Sequence, residues 1–219
     1  MKKKVGIFIV ALTICIGITY KYNTSNKKEI GVTQKTVTVS KQEKEELNNH
    51  FTIFSKYKLE EFSENSLSVE NAIDFAVQYN FDNNFEKFSI YKERCCAYID
   101  KEYIEKTVNH YFGINIDTYS STEKHEFIED KYIAPLASGG SYNFSKIINL
   151  YEIEKDKLLA ELEIYHAEGN FMGDINEDKE AWEKGEGEVP KLIGKKKAVL
   201  KRINEGGKGR YILLSYENF

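Results

Sequence analysis

The chain has 219 residues and a net charge of −4 at pH 7, and its first 22 residues hold four lysines and no acid, which leaves −8 on the other 197. A surface of that sign repels nucleic acid and anionic lipid, and no basic stripe offsets it, so DNA and RNA binding are excluded. Fifteen Tyr and 13 Phe over a length of this kind suit one domain with a proper core, and two prolines argue against long disordered tracts.

Lys2-Lys3-Lys4 precede an uncharged run, Val5 to Tyr20, closed by Lys21. The run is longer than a typical secretory h-region and slightly shorter than a typical spanning helix. The segment 1–22 therefore reads as a signal anchor or a signal peptide. Its exit, Ile18-Thr19-Tyr20-Lys21-Tyr22, lacks the small residues of a cleavage site, and Tyr20, Lys21 and Tyr22 suit the headgroup level. Retention is the expectation: membrane contact through residues 5–20, a single pass, the C-terminal domain outside the cell. The alternative is a secreted or lipid-anchored protein. Leu12-Thr13-Ile14-Cys15 resembles a lipobox, but Ile14 is bulky where that box needs a small residue.

Residues 23–39 are polar and Thr-rich and read as a tether to a single α+β domain over 40–219. Ser40 and Glu43 form a capping box, and Leu47, Phe51, Phe54 and Lys58 follow at helical spacing, which predicts a helix from about Lys41 to Phe54. A second helix opens at Ser68, buries Ala72, Phe75, Ala76 and Tyr79, and ends at Asp82-Asn83-Asn84. Phe88–Ile99 alternates loosely, as one strand would. Asp100 caps a third helix whose Ile104, Val108 and Tyr111 share a face and whose stop is Gly113. Glu126–Ile133 reads as a hairpin turning at Glu129-Asp130-Lys131. Ile147–Ile153, Leu158–His166, Lys196–Ile203 and Arg210–Tyr216 then form an antiparallel meander with turns at Glu154–Lys157 and Asn204–Gly209. Helices packed on a C-terminal antiparallel sheet define an α+β fold, compatible with NTF2-like or cystatin-like domains.

Phe51–Phe62, Leu67–Phe75, Val108–Gly113, Leu136-Ala137-Ser138-Gly139-Gly140 and Arg210–Tyr216 together resemble an uncharacterised group of secreted or membrane-anchored proteins of Gram-positive, clostridia-like bacteria. The resemblance covers most of the domain from about residue 41. It implies an extracytoplasmic address and no activity.

Ala167–Pro190 carries eight acids against two lysines. Asp174, Asn176 and Asp178 place oxygen ligands at alternate positions, as a calcium loop would, but Lys179 stands where the EF-hand turn needs Gly and Gly185 where it needs Glu. A solvated acidic insertion is the simpler expectation. Trp182, the lone Trp, either pins this loop to the sheet or belongs to a ligand-binding surface, and pinning is favoured. His50, His110, His125 and His166 show no zinc spacing. His166 shares the parity of Leu162 and Ile164, where Glu126 or Asp130 could pair with it as catalytic acid and base. Ala137–Ser141 reads as a turn, lacking the order of a nucleophile elbow or P-loop. Cys95 and Cys96 are adjacent, cannot supply a disulfide framework, and are expected to pack. No cofactor signature is present. The expectation is an anchored, non-enzymatic module that binds a peptide, envelope protein or small ligand; the alternative is a cell-envelope hydrolase with a His/carboxylate pair.

Overall fold

Reciprocal hydrogen bonds between Ser40 and Glu43 start the first helix in the computed structural model, which describes residues 35–91, 95–136, 140–205 and 208–219. Glu43 N donates to Ser40 Oγ at 3.2 Å and Ser40 N to Glu43 Oε2 at 2.9 Å, completing the capping box. Helix α1 (Lys41–Lys56) turns Leu47, Phe51 and Phe54 inward. It runs two residues past the expected end at Phe54, and Lys58, although at helical spacing, lies beyond it at φ +52°. Helix α2 (Val69–Asn83) starts on Ser68, whose hydroxyl accepts from Asn71 N at 3.1 Å. Helix α3 (Lys101–Phe112) buries Ile104, Val108 and Tyr111 and stops at Gly113. Asp100 occupies the N-cap position, yet its side chain makes no capping bond. The first amide of α3, Lys101 N, donates instead to the carbonyl of Asp130 at 3.0 Å.

Gly113 has φ +69°, and a Cβ there would come within 2.8 Å of Ile212 Cδ1. Left-handed backbone and close approach both select glycine. Gly113→Ala is expected to lower the unfolding free energy by about 1–2 kcal/mol, read as a drop in the urea midpoint. An unchanged midpoint would remove the argument.

The strands form two antiparallel sheets. The larger runs β1 (Lys35–Thr36), β6 (Tyr142–Glu154), β7 (Lys157–Ala167), β8 (Lys191–Glu205), β9 (Lys208–Asn218). The smaller runs β2 (Ser89–Tyr91), β3 (Cys96–Asp100), β5 (Lys131–Pro135), β4 (Phe127–Ile128). Phe88–Ile99 therefore makes two strands, with Ile90 opposite Ala97. The hairpin expected at Glu129-Asp130 is present, both residues holding positive φ (48° and 63°), as a two-residue primed turn requires. The meander expected at the C-terminus is also present, with longer strands than the alternation suggested. Lys35 and Thr36 pair with Glu152 and Tyr151, and Val37 N donates to Leu150 O at 2.9 Å. The last residues of the expected tether thus belong to the fold.

The helices join the sheets: α1 lies on β6, α3 on both β9 and β3, and α2 on α3 and β5. Phe54, fully buried, has ring neighbours from three other elements: Phe75 at 5.6 Å, Tyr111 at 5.9 Å, Phe112 at 6.0 Å and Tyr216 at 6.5 Å between centroids. This explains the aromatic richness of the chain, because large rings fill the space between layers with few residues.

Cys95 and Cys96 are unpaired thiols. Cys95 does not pack as expected: it sits exposed at φ +50°, where chain reversal turns it outward, while Cys96 is half-buried. Among the described residues no helix is long and apolar enough to cross a membrane. The segment 1–22, Cys15, residues 23–34 and Ala137-Ser138-Gly139 lie outside those residues.

Candidate functional site

One stripe of α1 runs along the edge of the aromatic core. Glu43, Glu46, Leu47 and His50 recur at helical spacing and form one wall of a cleft of about 670 Å³. Val37 and Val39 close it beside β1, His110 comes from the last turn of α3, Leu158 opens β7, and Arg202, Gly209, Arg210 and Tyr211 bring the β8–β9 end of the sheet.

His50 is the chemically distinctive wall residue. Its ring lies 5.2 Å from Phe54, 6.0 Å from Tyr111 and 6.1 Å from Tyr211 between centroids, and its Nε2 is buried without a hydrogen-bond partner. Burial, with nearby His110 a smaller contributor, lowers its pKa from 6.5 to about 4. The ring is therefore neutral at physiological pH and presents one unmet hydrogen-bonding atom in an aromatic setting.

The charged wall groups divide by what already holds them. Glu43 Oε2 accepts from Ser40 N and from Ser40 Oγ at 2.8 Å, which lowers its pKa. Glu46 Oε1 accepts from Gln42 Nε2 at 3.0 Å. Arg210 donates to the carbonyls of Asn109 at 3.0 Å and His110 at 2.6 Å, so its cation satisfies the C-terminus of α3. Arg202 lies over Gly209, where a Cβ would come within 3.2 Å of Nε. Its guanidinium has no hydrogen-bond or ion-pair partner among the described residues.

The cleft lining holds no Ser, Thr or Cys nucleophile, and a histidine held near 4 is a weak general base at neutral pH. The same shift has a consequence for stability. The unfolded chain takes up a proton near 6.5 and the folded one not until about 4, so the stability due to the neutral ring is whole above 6.5 and is lost as the pH falls toward 4. Burial shifts His125 in the same direction, so His50→Phe should make the acid-side fall in Tm shallower without abolishing it. Parallel wild-type and variant curves between pH 6.5 and 4 would contradict the assignment.

The residues singled out by sequence lie elsewhere. His166, near the end of β7, has Nδ1 2.8 Å from Asn143 Oδ1 and Nε2 3.5 Å from Glu168 Oε1. Its carboxylate neighbour is thus Glu168. Glu126 belongs to the smaller sheet's hairpin, where its carbonyl accepts from Ile133 N, and Asp130 pairs with Lys101 at 2.6 Å. Trp182, 3% exposed, packs on Phe144, Tyr165 and Phe171 and donates its indole N–H to Asp174 O at 2.7 Å. It pins the acidic loop, which contains a short helix, α4 (Lys179–Lys184), that sequence reasoning missed.

The three calcium candidates each take part in that loop's own structure. Asp174 Oδ1 accepts from Asn176 N, Asn176 Oδ1 accepts from Asn48 Nδ2, and Asp178 Oδ1 caps α4 through Ala181 N. Among the described residues no group of three or more His, Cys, Asp and Glu is arranged to hold a metal ion. The cleft itself was missed because His50 and His110 are joined only by tertiary packing. The available signal was Glu43, Glu46 and His50, polar residues at helical spacing beside the core position Leu47.

Comparison with protein-family models, curated proteins and solved structures found no match.

Proposed function

We propose that the chain is a non-enzymatic binding module displayed outside the cell, held to the membrane by residues 5–20 and akin to the secreted or anchored clostridia-like proteins it resembles. Its ligand, a small molecule or a peptide end, occupies the α1/β8–β9 cleft. One observation carries the reading: His50, a wall residue of that cleft, keeps a buried Nε2 with no hydrogen-bond partner among the described residues. A buried polar atom left unmet costs about 1–3 kcal/mol, and a ligand hydrogen bond removes that cost. The apolar walls at Leu47, Leu158 and Tyr211 supply the contact area a ligand site needs.

The test uses the full chain in lipid nanodiscs and a library of photoreactive fragments, with adducts located by mass spectrometry. Adducts are expected on Leu47, Leu158 or Tyr211 and should fall sharply in His50→Phe. Adducts confined to other surfaces, such as the groove beside Tyr91, Tyr98 and Ile133 on the smaller sheet, would sink the proposal. The address is tested by adding protease to intact cells: the domain should be cut while a cytoplasmic control survives.

A further inference from the structure

We infer that the ligand of this cleft carries a carboxylate, bound by Arg202, next to an apolar group and an amide; in chemical class it is an N-acylated apolar amino acid, free or as the C-terminal end of a peptide. The inference rests on the reading of the cleft as a binding site. It begins from an imbalance among the charged walls. Two acids and two arginines line one cavity, yet no ion pair joins Arg202 to Glu43 or Glu46 among the described residues. Glu43 is held by Ser40, Glu46 by Gln42, and Arg210 by the carbonyls ending α3. Arg202 remains a planar fork of donors with nothing to hold.

A guanidinium of this kind fits a carboxylate through two parallel hydrogen bonds. Phosphate fits the fork as well, but a dianion would meet a single unengaged guanidinium with the carboxylates of Glu43 and Glu46 on the same walls, so a monoanion is favoured. The remaining features specify the rest of the ligand. Tyr211 pairs with Arg202 across β8 and β9, so an apolar ring is adjacent to the fork. Leu158 extends that surface. The neutral imidazole of His50 keeps one unmet hydrogen-bonding atom, the buried Nε2 just behind the cleft wall, which matches an amide group that displaces its cover. Carboxylate, apolar side chain and amide, in that order, are the end of a peptide.

The probes are N-acetyl-phenylalanine, its neutral amide N-acetyl-phenylalaninamide, and acetyl-Gly-Ala-Phe, titrated by calorimetry into the full chain in nanodiscs. The free acid should bind at least tenfold more tightly than the amide. Arg202→Gln, at an exposed position, should erase that difference, while Arg202→Lys restores part of it. Tighter binding of acetyl-Gly-Ala-Phe than of N-acetyl-phenylalanine would assign the ligand to peptides, and equal binding to small acylated amino acids. Equal affinity for acid and amide, or an Arg202→Gln chain that binds the acid as wild type does, overturns the inference. So does the absence of heat with all three probes, whereas fragment adducts on Leu158 or Tyr211 would then still support the cleft as a binding site for another class of ligand.

Discussion

Trp182→Ala should cost about 3–5 kcal/mol of stability, the range for truncating a buried aromatic, and should free the acidic segment 168–190 from the sheet. The indole meets Tyr165 at 5.2 Å, Phe144 at 5.4 Å and Phe171 at 6.0 Å between centroids, and the Lys146 ammonium lies 4.5 Å from its ring centroid. Phe144 and Tyr165 project from the face of the large sheet opposite the main core, so without Trp182 both would face water. The loop's acids give it no competing reason to stay. Circular dichroism during urea unfolding reads the loss of stability, and limited proteolysis reads the released segment. Trp182→Phe separates packing from the hydrogen bond to Asp174 O: it keeps a ring and should lose about 1–2 kcal/mol. If Trp182→Ala leaves both the midpoint and the cleavage pattern unchanged, the residue does not pin the loop.

Asn48→Ala is expected to have the next largest effect, about 2–3 kcal/mol, with Tm falling by roughly 4–12 °C for a chain of this size. Asn48 is buried in α1, and its Oδ1 accepts from Ile147 N at 2.9 Å while its Nδ2 donates to Asn176 at 3.1 Å. Four residues on, Thr52 Oγ1 accepts from Ser145 N at 3.1 Å. Positions i and i+4 on a helix rise about 6 Å, and positions j and j+2 on a strand about 6.6 Å. The helix therefore meets, one for one, the outward amides of β6 that have no strand beside them. Alanine at 48 leaves the buried Ile147 amide unmet. Amide hydrogen exchange at Ile147 should accelerate well beyond that at Leu162, its partner on β7. Equal protection factors in wild type and variant would refute this account of the α1–β6 seam.

The starts of α1 and α2, the Gly113 stop and the C-terminal meander were legible because local chemistry fixes each of them: a hydroxyl three residues before an amide, a residue free of Cβ, an alternation of period two. The smaller sheet was only half legible. Ser89–Tyr91 is exposed throughout, so no buried face imprints alternation on it. α4 was hidden in a charge-rich loop because one buried residue, Trp182, holds it in place. The cleft was least legible. Its wall residues come from five elements, and the feature that marks His50, a buried nitrogen with no partner, exists only after Phe54, Tyr111 and Tyr211 have closed around it. The parity of His166 did not reveal its neighbours, since Asn143 and Glu168 reach it through strand pairing and a loop turn.

The margins of the large sheet carry one more consequence. Along β6, the side chains of α1 and the short β1 take the free amides. Along β9, Phe62 N donates to Tyr216 O at 2.9 Å and Tyr216 N returns a bond to Phe62 O at 2.8 Å. Each rim is occupied, in part, by the chain's own backbone or side chains, which leaves less edge on which a second molecule could add a strand. Each such contact shortens the stretch of backbone on which a strand from another copy could be laid down.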